Sequence, residues 1–264
     1  MSLAPPDTQR QSDASAKTKL NISIIVPVLN EAALIGSFLR HLRQCAPSAE
    51  IIVVDGGSAD ATRKLAGDLC DQLIVTECGR AIQMNAGARV AHGDVFWFLH
   101  ADAQVPWKSL TLIAQKLTDP AIAGGFFRIR LPRNHLVYRL TDGFAHYAGR
   151  AVRIRCADHG FFCRREAFET LEGFPEVPLM EDAEFFRAMH RCGRVCTIGD
   201  RLIVSPRRYE EIGRLRLTFF YGVIAVLYTL GVPLSFLSWV YNRSCCSIKQ
   251  ARAAGQQERQ AGIK

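Results

Sequence analysis

Four short apolar runs fall within the first hundred residues, at 23–29, 51–54, 73–75 and 95–99, and stretches of helical period separate them. Leu34, Phe38 and Leu42 mark one face of the first such stretch. Strands that alternate with helices at this spacing build βαβ units, and these give an α/β fold with a mostly parallel sheet. The runs are continuously apolar rather than alternating, as expected of strands covered by helices on both faces. Such sheets bind ligands beyond the carboxyl ends of their strands. Each strand end here carries polar groups. Asn30 and Glu31 follow the first, Asp55-Gly56-Gly57-Ser58 follows the second, and His100-Ala101-Asp102 follows the fourth.

Beyond Gly124 the sequence predicts a strand over 125–131, a helix over 135–151, a short strand at 160–164, a short helix at 166–171 and a helix over 181–192 with Phe185, Phe186 and Met189 on its apolar side. Residues 1–19 are polar and read as a disordered leader without the apolar centre of a signal peptide, which predicts a cytoplasmic protein. Nine cysteines, an odd number with no Cys-x-x-Cys pair, argue against a zinc ribbon or a disulfide framework. The net charge of +8 suits a phosphate-bearing partner. The arginines are dispersed and form no basic-aromatic module, so nucleic acid is not an expected partner.

Several polar groups admit both a chemical and a structural role. Asp102 could hold a divalent cation that bridges a diphosphate, or cap the helix after Pro106. His100 could ligate the same ion or donate to a phosphate, though a packed, hydrogen-bonded histidine is the commoner case. Asp55 could accept hydrogen bonds from a nucleobase or ribose, and Ser58 or Asp60 could cap the next helix. Arg80, Gln83 and Asn85 open the third helix, where a cation and amides suit a phosphate or sugar hydroxyls. Gly87, costly within a helix, calls for close packing or close ligand approach. Glu181 and Asp182 complement a helix dipole. Asp182 becomes a candidate general base only if the fold sets it opposite Asp102.

Together the strings "SIIVPVLNE", "IIVVDGGSADAT", "GRAIQMNAGARVAHGDVFWFLHAD" and "MEDAEFFRAMHRCGR" resemble the inverting glycosyltransferases of family 2, which have the GT-A fold, from about residue 22 to 210. The chain is similar to a bacterial subgroup of unassigned substrate that is associated with radical-SAM genes. The resemblance implies a nucleotide pocket at Pro27, Asn30 and Glu31, with Asp55 on the nucleobase and Arg80 and Asn85 near the diphosphate or donor sugar. It implies Asp102 as the ligand of a Mn or Mg ion and Asp182 as the catalytic base. Glu181 and Asp158, of Asp158-His159-Gly160, fall on the acceptor side. The first acid of the family's Asp-x-Asp is His100 here, which removes a charge near the diphosphate. The Gln-x-x-Arg-Trp signature of processive synthases is absent. "SPRRYEE", with Arg207 and Arg208, is its nearest substitute. Transfer of a single sugar follows, with those arginines as candidates to steady the leaving diphosphate. The alternatives are a nucleotidyltransferase and a non-catalytic nucleotide-binding protein. The first wants a glycine-rich basic loop after strand one, which "VLNEAALIG" is not. A Rossmann oxidoreductase would need Gly-x-Gly-x-x-Gly there, and it is missing.

These features divide the chain into a leader (1–19), a GT-A catalytic domain (20–210), an apolar helical segment (211–244) and a basic polar tail (245–264). Residues 217–241 contain no charged side chain, and Gly231-Val232-Pro233 interrupts them. Basic residues flank both ends. An in-plane membrane segment fits this pattern better than a span and would suit a lipid-linked acceptor. A homo-oligomer interface or a cover on the catalytic domain is the alternative.

Overall fold

Placement of the strands follows from their burial. The computed structural model describes residues 20–130, 159–205, 207–241 and 243. The expected leader, the expected helix at 135–151, Asp158 and the tail lie outside the described residues. Strands β1 (Ile22–Val28) and β4 (Val95–Phe98) are buried at every position, and β2 (Glu50–Asp55) at all but its first. With β3 (Gln72–Val75), β5 (Ile122–Arg130), β6 (Phe162–Arg164) and β7 (Arg194–Ile203) they form one seven-stranded sheet of order β3-β2-β1-β4-β6-β5-β7. Only β6 runs antiparallel to its neighbours.

Helices α1 (Ile35–Cys45), α2 (Thr62–Gly67), α3 (Arg80–Val90) and α4 (Ser109–Lys116) follow β1 to β4 in turn. Two cores result, one on each face of the sheet. Alternation along β4 feeds both: Trp97 joins Phe38, Leu42 and Ile113, while Phe96 and Phe98 join Met84, Phe168 and Phe174. Gly87 answers to close packing. A Cβ there would meet Cγ2 of Ile25 at 2.5 Å, so α3 lies closer to the sheet than any side chain would allow.

Pro27 sits in a central strand, where proline is normally excluded. The β1–β4 pairing ends at Ile25↔Phe98, with Leu99 N–H donating to Ile25 O at 3.0 Å. The proline lies past that last ladder bond, so its missing N–H breaks no paired rung. Strand order also reverses at β1, from β3-β2-β1 on one side to β4 on the other. Here the carboxyl ends of β1 and β4 open a topological switch point.

Strand β7 was not anticipated. Its sequence, RVCTIGDRLI, carries three charges and a glycine, and half of its residues are exposed because it is an edge strand, laddered with β5 and bridged at Ile203 to Gln104. The second helix opens later than its expected start at 59. Asp60 Oδ1 accepts the Thr62 N–H at 2.9 Å and so holds the preceding residues in a turn. Three more helices precede the apolar segment, α5 (Arg165–Thr170), α6 (Glu181–Met189) and α7 (Arg207–Ile212). The apolar segment forms α8 (Arg214–Thr229), breaks at Gly231 to Pro233, and resumes as helix over 234–241. Among the described residues no helix is long and apolar enough to cross a membrane. The inner side of the segment packs on α6: Ile224, Tyr228 and Leu237 cluster with Met180 and Ala183.

Candidate active site

The site begins with two loops stapled together. Asn30, in a left-handed conformation (φ 54°), donates its N–H to Ser58 Oγ at 2.9 Å and accepts the Ala59 N–H on Oδ1 at 2.9 Å. Glu31 N–H donates to Thr62 Oγ1 at 2.8 Å. The β1–α1 and β2–α2 loops therefore act as one wall. The Asn30 side-chain oxygen is taken up by that wall. The resemblance had set it in the nucleotide pocket, where it now serves as loop scaffold.

Asp55 closes the wall from below. It is fully buried, and its Oδ2 accepts the N–H groups of Gly57 (3.1 Å) and Ser58 (2.9 Å). The φ of 89° at Gly57 makes this tight turn possible. Arg63 Nε stands 3.8 Å from the same oxygen. The other oxygen, Oδ1, is buried with no hydrogen-bond partner among the described residues. An unpaired buried carboxylate oxygen is costly unless a ligand supplies the missing donor.

Helix α3 reaches the same edge. Gln83 donates to the carbonyls of Val28 (2.9 Å) and Val54 (2.8 Å), the terminal rungs of β1 and β2. One turn earlier, Arg80 lies 4.0 Å from Glu181 Oε1. That contact sets the start of α6, with the buried pair Glu181 and Asp182, beside the first turn of α3. Asp182 Oδ1 accepts the Ala183 N–H at 2.7 Å. Met180, just before the pair, is held in the left-handed region (φ 68°) with its side chain in the cluster with Ile224 and Tyr228. Arg207, from α7, makes a two-pronged contact with Glu31 at 3.2 and 3.4 Å. The side chain of Arg208 lies outside the described residues.

Asn85 departs from its expected place. Its Nδ2 donates to Phe174 O and its Oδ1 accepts Phe174 N–H, both at 2.8 Å, in the buried core beneath the site. It is a packing staple, because a buried amide takes the nearest peptide group. His100 and Asp102 follow β4 and are half-buried. The helix after Pro106 opens only at Ser109, with Lys108 as N-cap, so the capping role weighed for Asp102 is not the one found. His159 is buried edge-on to Phe126.

Among the described residues no three His, Cys, Asp or Glu side chains cluster into a metal cage. A Mg or Mn ion bound through one carboxylate, a diphosphate and waters needs no such cage, and Asp102, half-buried past the end of β4, is the carboxylate that would hold it. Sequence reasoning left out Gln83 as a strand-end clamp and Arg63 beside Asp55. A glutamine among the alanines and glycine of a short helix is the signal for the first. Arg63 offered none.

Comparisons with known proteins point one way. Residues 23–171, more than half of the chain, match the family described as Glycosyl transferase family 2. The PGL/p-HBAD biosynthesis glycosyltransferases of Mycobacterium bovis and Mycobacterium tuberculosis are 39% identical over 88 residues, 30% of this chain and 34% of theirs. The alignment thus spans about a third of those relatives. Among solved structures, a mannosyltransferase from Pyrobaculum calidifontis, in complex with GDP-Man and Mn2+, superposes with a TM-score of 0.58 at 21% identity over 94% of this chain and 81% of that one. Glucosyl-3-phosphoglycerate synthase from Mycobacterium tuberculosis, in complex with Mn2+ and UDP-Glc, gives 0.59 at 18% over 82% and 81%. At these identities the likeness establishes a shared GT-A fold.

Proposed function

The chain belongs to glycosyl transferase family 2, and on that footing we propose that it moves a single sugar from a nucleoside diphosphate sugar to an acceptor hydroxyl, with inversion at the anomeric carbon. The observation that carries this reading is the buried, unpartnered Oδ1 of Asp55 at the end of β2. A nucleobase N–H is the donor such an atom lacks, and the stapled loops of Asn30, Glu31 and Ser58 form the wall beside it. Pro27 lies at the floor where β1 and β4 part.

Asp182 accepts the proton of the attacking hydroxyl, and Glu181 and Asp158 belong to the acceptor side. Arg80, beside Glu181, and Arg207, beside Glu31, would balance the departing diphosphate, with Arg208 as a further candidate. Asp102, with His100 next to it, would hold a divalent cation, which supplies positive charge against the leaving group. The Mn2+ in complexes of similar structures supports such an ion. The His-Ala-Asp form favours the radical-SAM-associated subgroup. The acceptor is read as lipid-linked, at the cytoplasmic face of a membrane, because an apolar helical pair is docked on the helix that carries Asp182.

Hydrolysis of UDP- and GDP-sugars tests the reading. Asp182→Asn should lower turnover by about 10²–10⁴-fold while nucleotide-induced thermal shifts persist. Equal inactivity of both proteins, with nucleotide still bound, would favour a non-catalytic binding protein. A shift indifferent to manganese would count against Asp102.

A further inference from the structure

Helix α8 is apolar on two opposite sides. Leu217, Ile224 and Tyr228 are buried on one side, the last two against Met180 and Ala183. Leu215, Phe219, Val226 and Leu230 face away from that side and are 55 to 76% exposed. Their spacings of 4, 7 and 4 residues, at 3.6 residues per turn, keep them within a sector of about 60°. The following helical residues add Phe236 and Trp239, stacked on each other at 5.8 Å and more than half exposed. A helix apolar all round is normally buried or in lipid.

We propose that this outward stripe, with Phe236 and Trp239, is an in-plane docking surface for a bilayer with anionic headgroups. Charge selects that occupant. From Arg214 to Arg243 the chain has three arginines and no acidic residue. Arg216 and Arg243 are exposed, and the Arg243 guanidinium stacks on Trp239 at 5.4 Å, an amphipathic pairing suited to the headgroup level. Length agrees as well: 16 residues make a helix of about 24 Å, short of the roughly 30 Å of a hydrocarbon core.

The surface is also tied to the catalytic helix. Tyr228 Oη donates to Glu184, and the Arg187 guanidinium lies 4.6 Å from the Tyr228 ring centre, so both partners come from α6. A bilayer seated on the outer stripe therefore holds the start of α6, and Asp182, beside lipid-borne hydroxyls. That last step rests on the transfer reading of the site. The docking itself does not.

Co-sedimentation of the full chain with vesicles of phosphatidylcholine, alone or mixed with phosphatidylglycerol, tests the proposal. Wild type should partition onto the mixed vesicles. The combined change Leu215→Ser, Phe219→Ser, Val226→Ser and Leu230→Ser should lower partitioning by on the order of tenfold or more. Arg216→Ala and Arg243→Ala should each lower it by about fivefold on anionic vesicles and leave binding to pure phosphatidylcholine unchanged. These arginine changes carry the test should the serine protein fail to match the wild-type thermal midpoint. In a Trp107→Phe background, Trp239 emission should move to the blue when mixed vesicles are added. Absence of wild-type binding to either vesicle overturns the proposal. So does a dimer in light scattering that the serine changes convert to monomer, which would make the stripe a contact between two copies. Donor hydrolysis without vesicles separates the two readings: its loss in wild type refutes transfer and leaves docking intact.

Discussion

At the scale of single residues, Asp55 shows how a buried acid can be split between scaffold and ligand. One oxygen holds the Gly57–Ser58 turn and the other is left without a donor. Asp55→Asn should keep the fold but weaken nucleotide binding by about 1–3 kcal/mol, read by titration calorimetry with UDP and GDP. A second acid lies at the far edge of the sheet. Burial raises the Glu50 pKa, but the N–H and imidazole of His92 and the Ser23 hydroxyl outweigh it and hold the carboxyl below its ordinary value of 4.5. A depressed folded pKa contributes stability that is complete above the unfolded value and lost as pH falls through the folded one. Glu50→Gln should therefore lower the thermal midpoint at neutral pH, with the deficit shrinking below about pH 4. The positions of Asp55, at the end of β2, and Asp102, past the end of β4, were legible because the apolar runs mark where the strands stop. Asn85 was not, since its partner is the backbone of Phe174, 89 residues away.

At the scale of elements, the closeness of α3 to the sheet is the main packing constraint on the site. It sets the reach of Gln83 to the ends of β1 and β2 and of Arg80 to Glu181. Gly87→Val should cost about 1–3 kcal/mol through overpacking against Ile25 and Val54, measured by urea unfolding. It should also lower donor affinity, which a pure stability defect would not do below the melting range. The first four strands and three helices could be read from hydrophobic period because each is buried on a regular face. β7 could not, because an exposed edge strand needs no apolar pattern and takes its place from pairing with β5.

At the scale of the whole molecule, the C-terminal pair is joined to the catalytic part by a small apolar cluster and by Tyr228. Burial, and then the Glu184 carboxylate beside it, push the Tyr228 phenol well above its ordinary value of 10.0. A raised folded pKa gives stability that is intact below the unfolded value and lost as pH rises toward the folded one. Wild type should accordingly lose stability above about pH 10 more steeply than Tyr228→Phe, seen in melts across that range. The break at Gly231 to Pro233 was readable from sequence. The tie between α8 and α6 was not, since it joins Glu184 to a tyrosine 44 positions later.

Met180 gives that tie a mechanical side. A left-handed backbone at a bulky residue costs on the order of 1–3 kcal/mol, and the cluster with Ile224, Tyr228 and Leu237 grips the side chain that bears it. Glycine at 180 would relax the torsion and release the grip at once. The burial lost would outweigh the torsion regained, so the strain at this one residue is the expense at which an apolar anchor fixes the chain just ahead of the two acids.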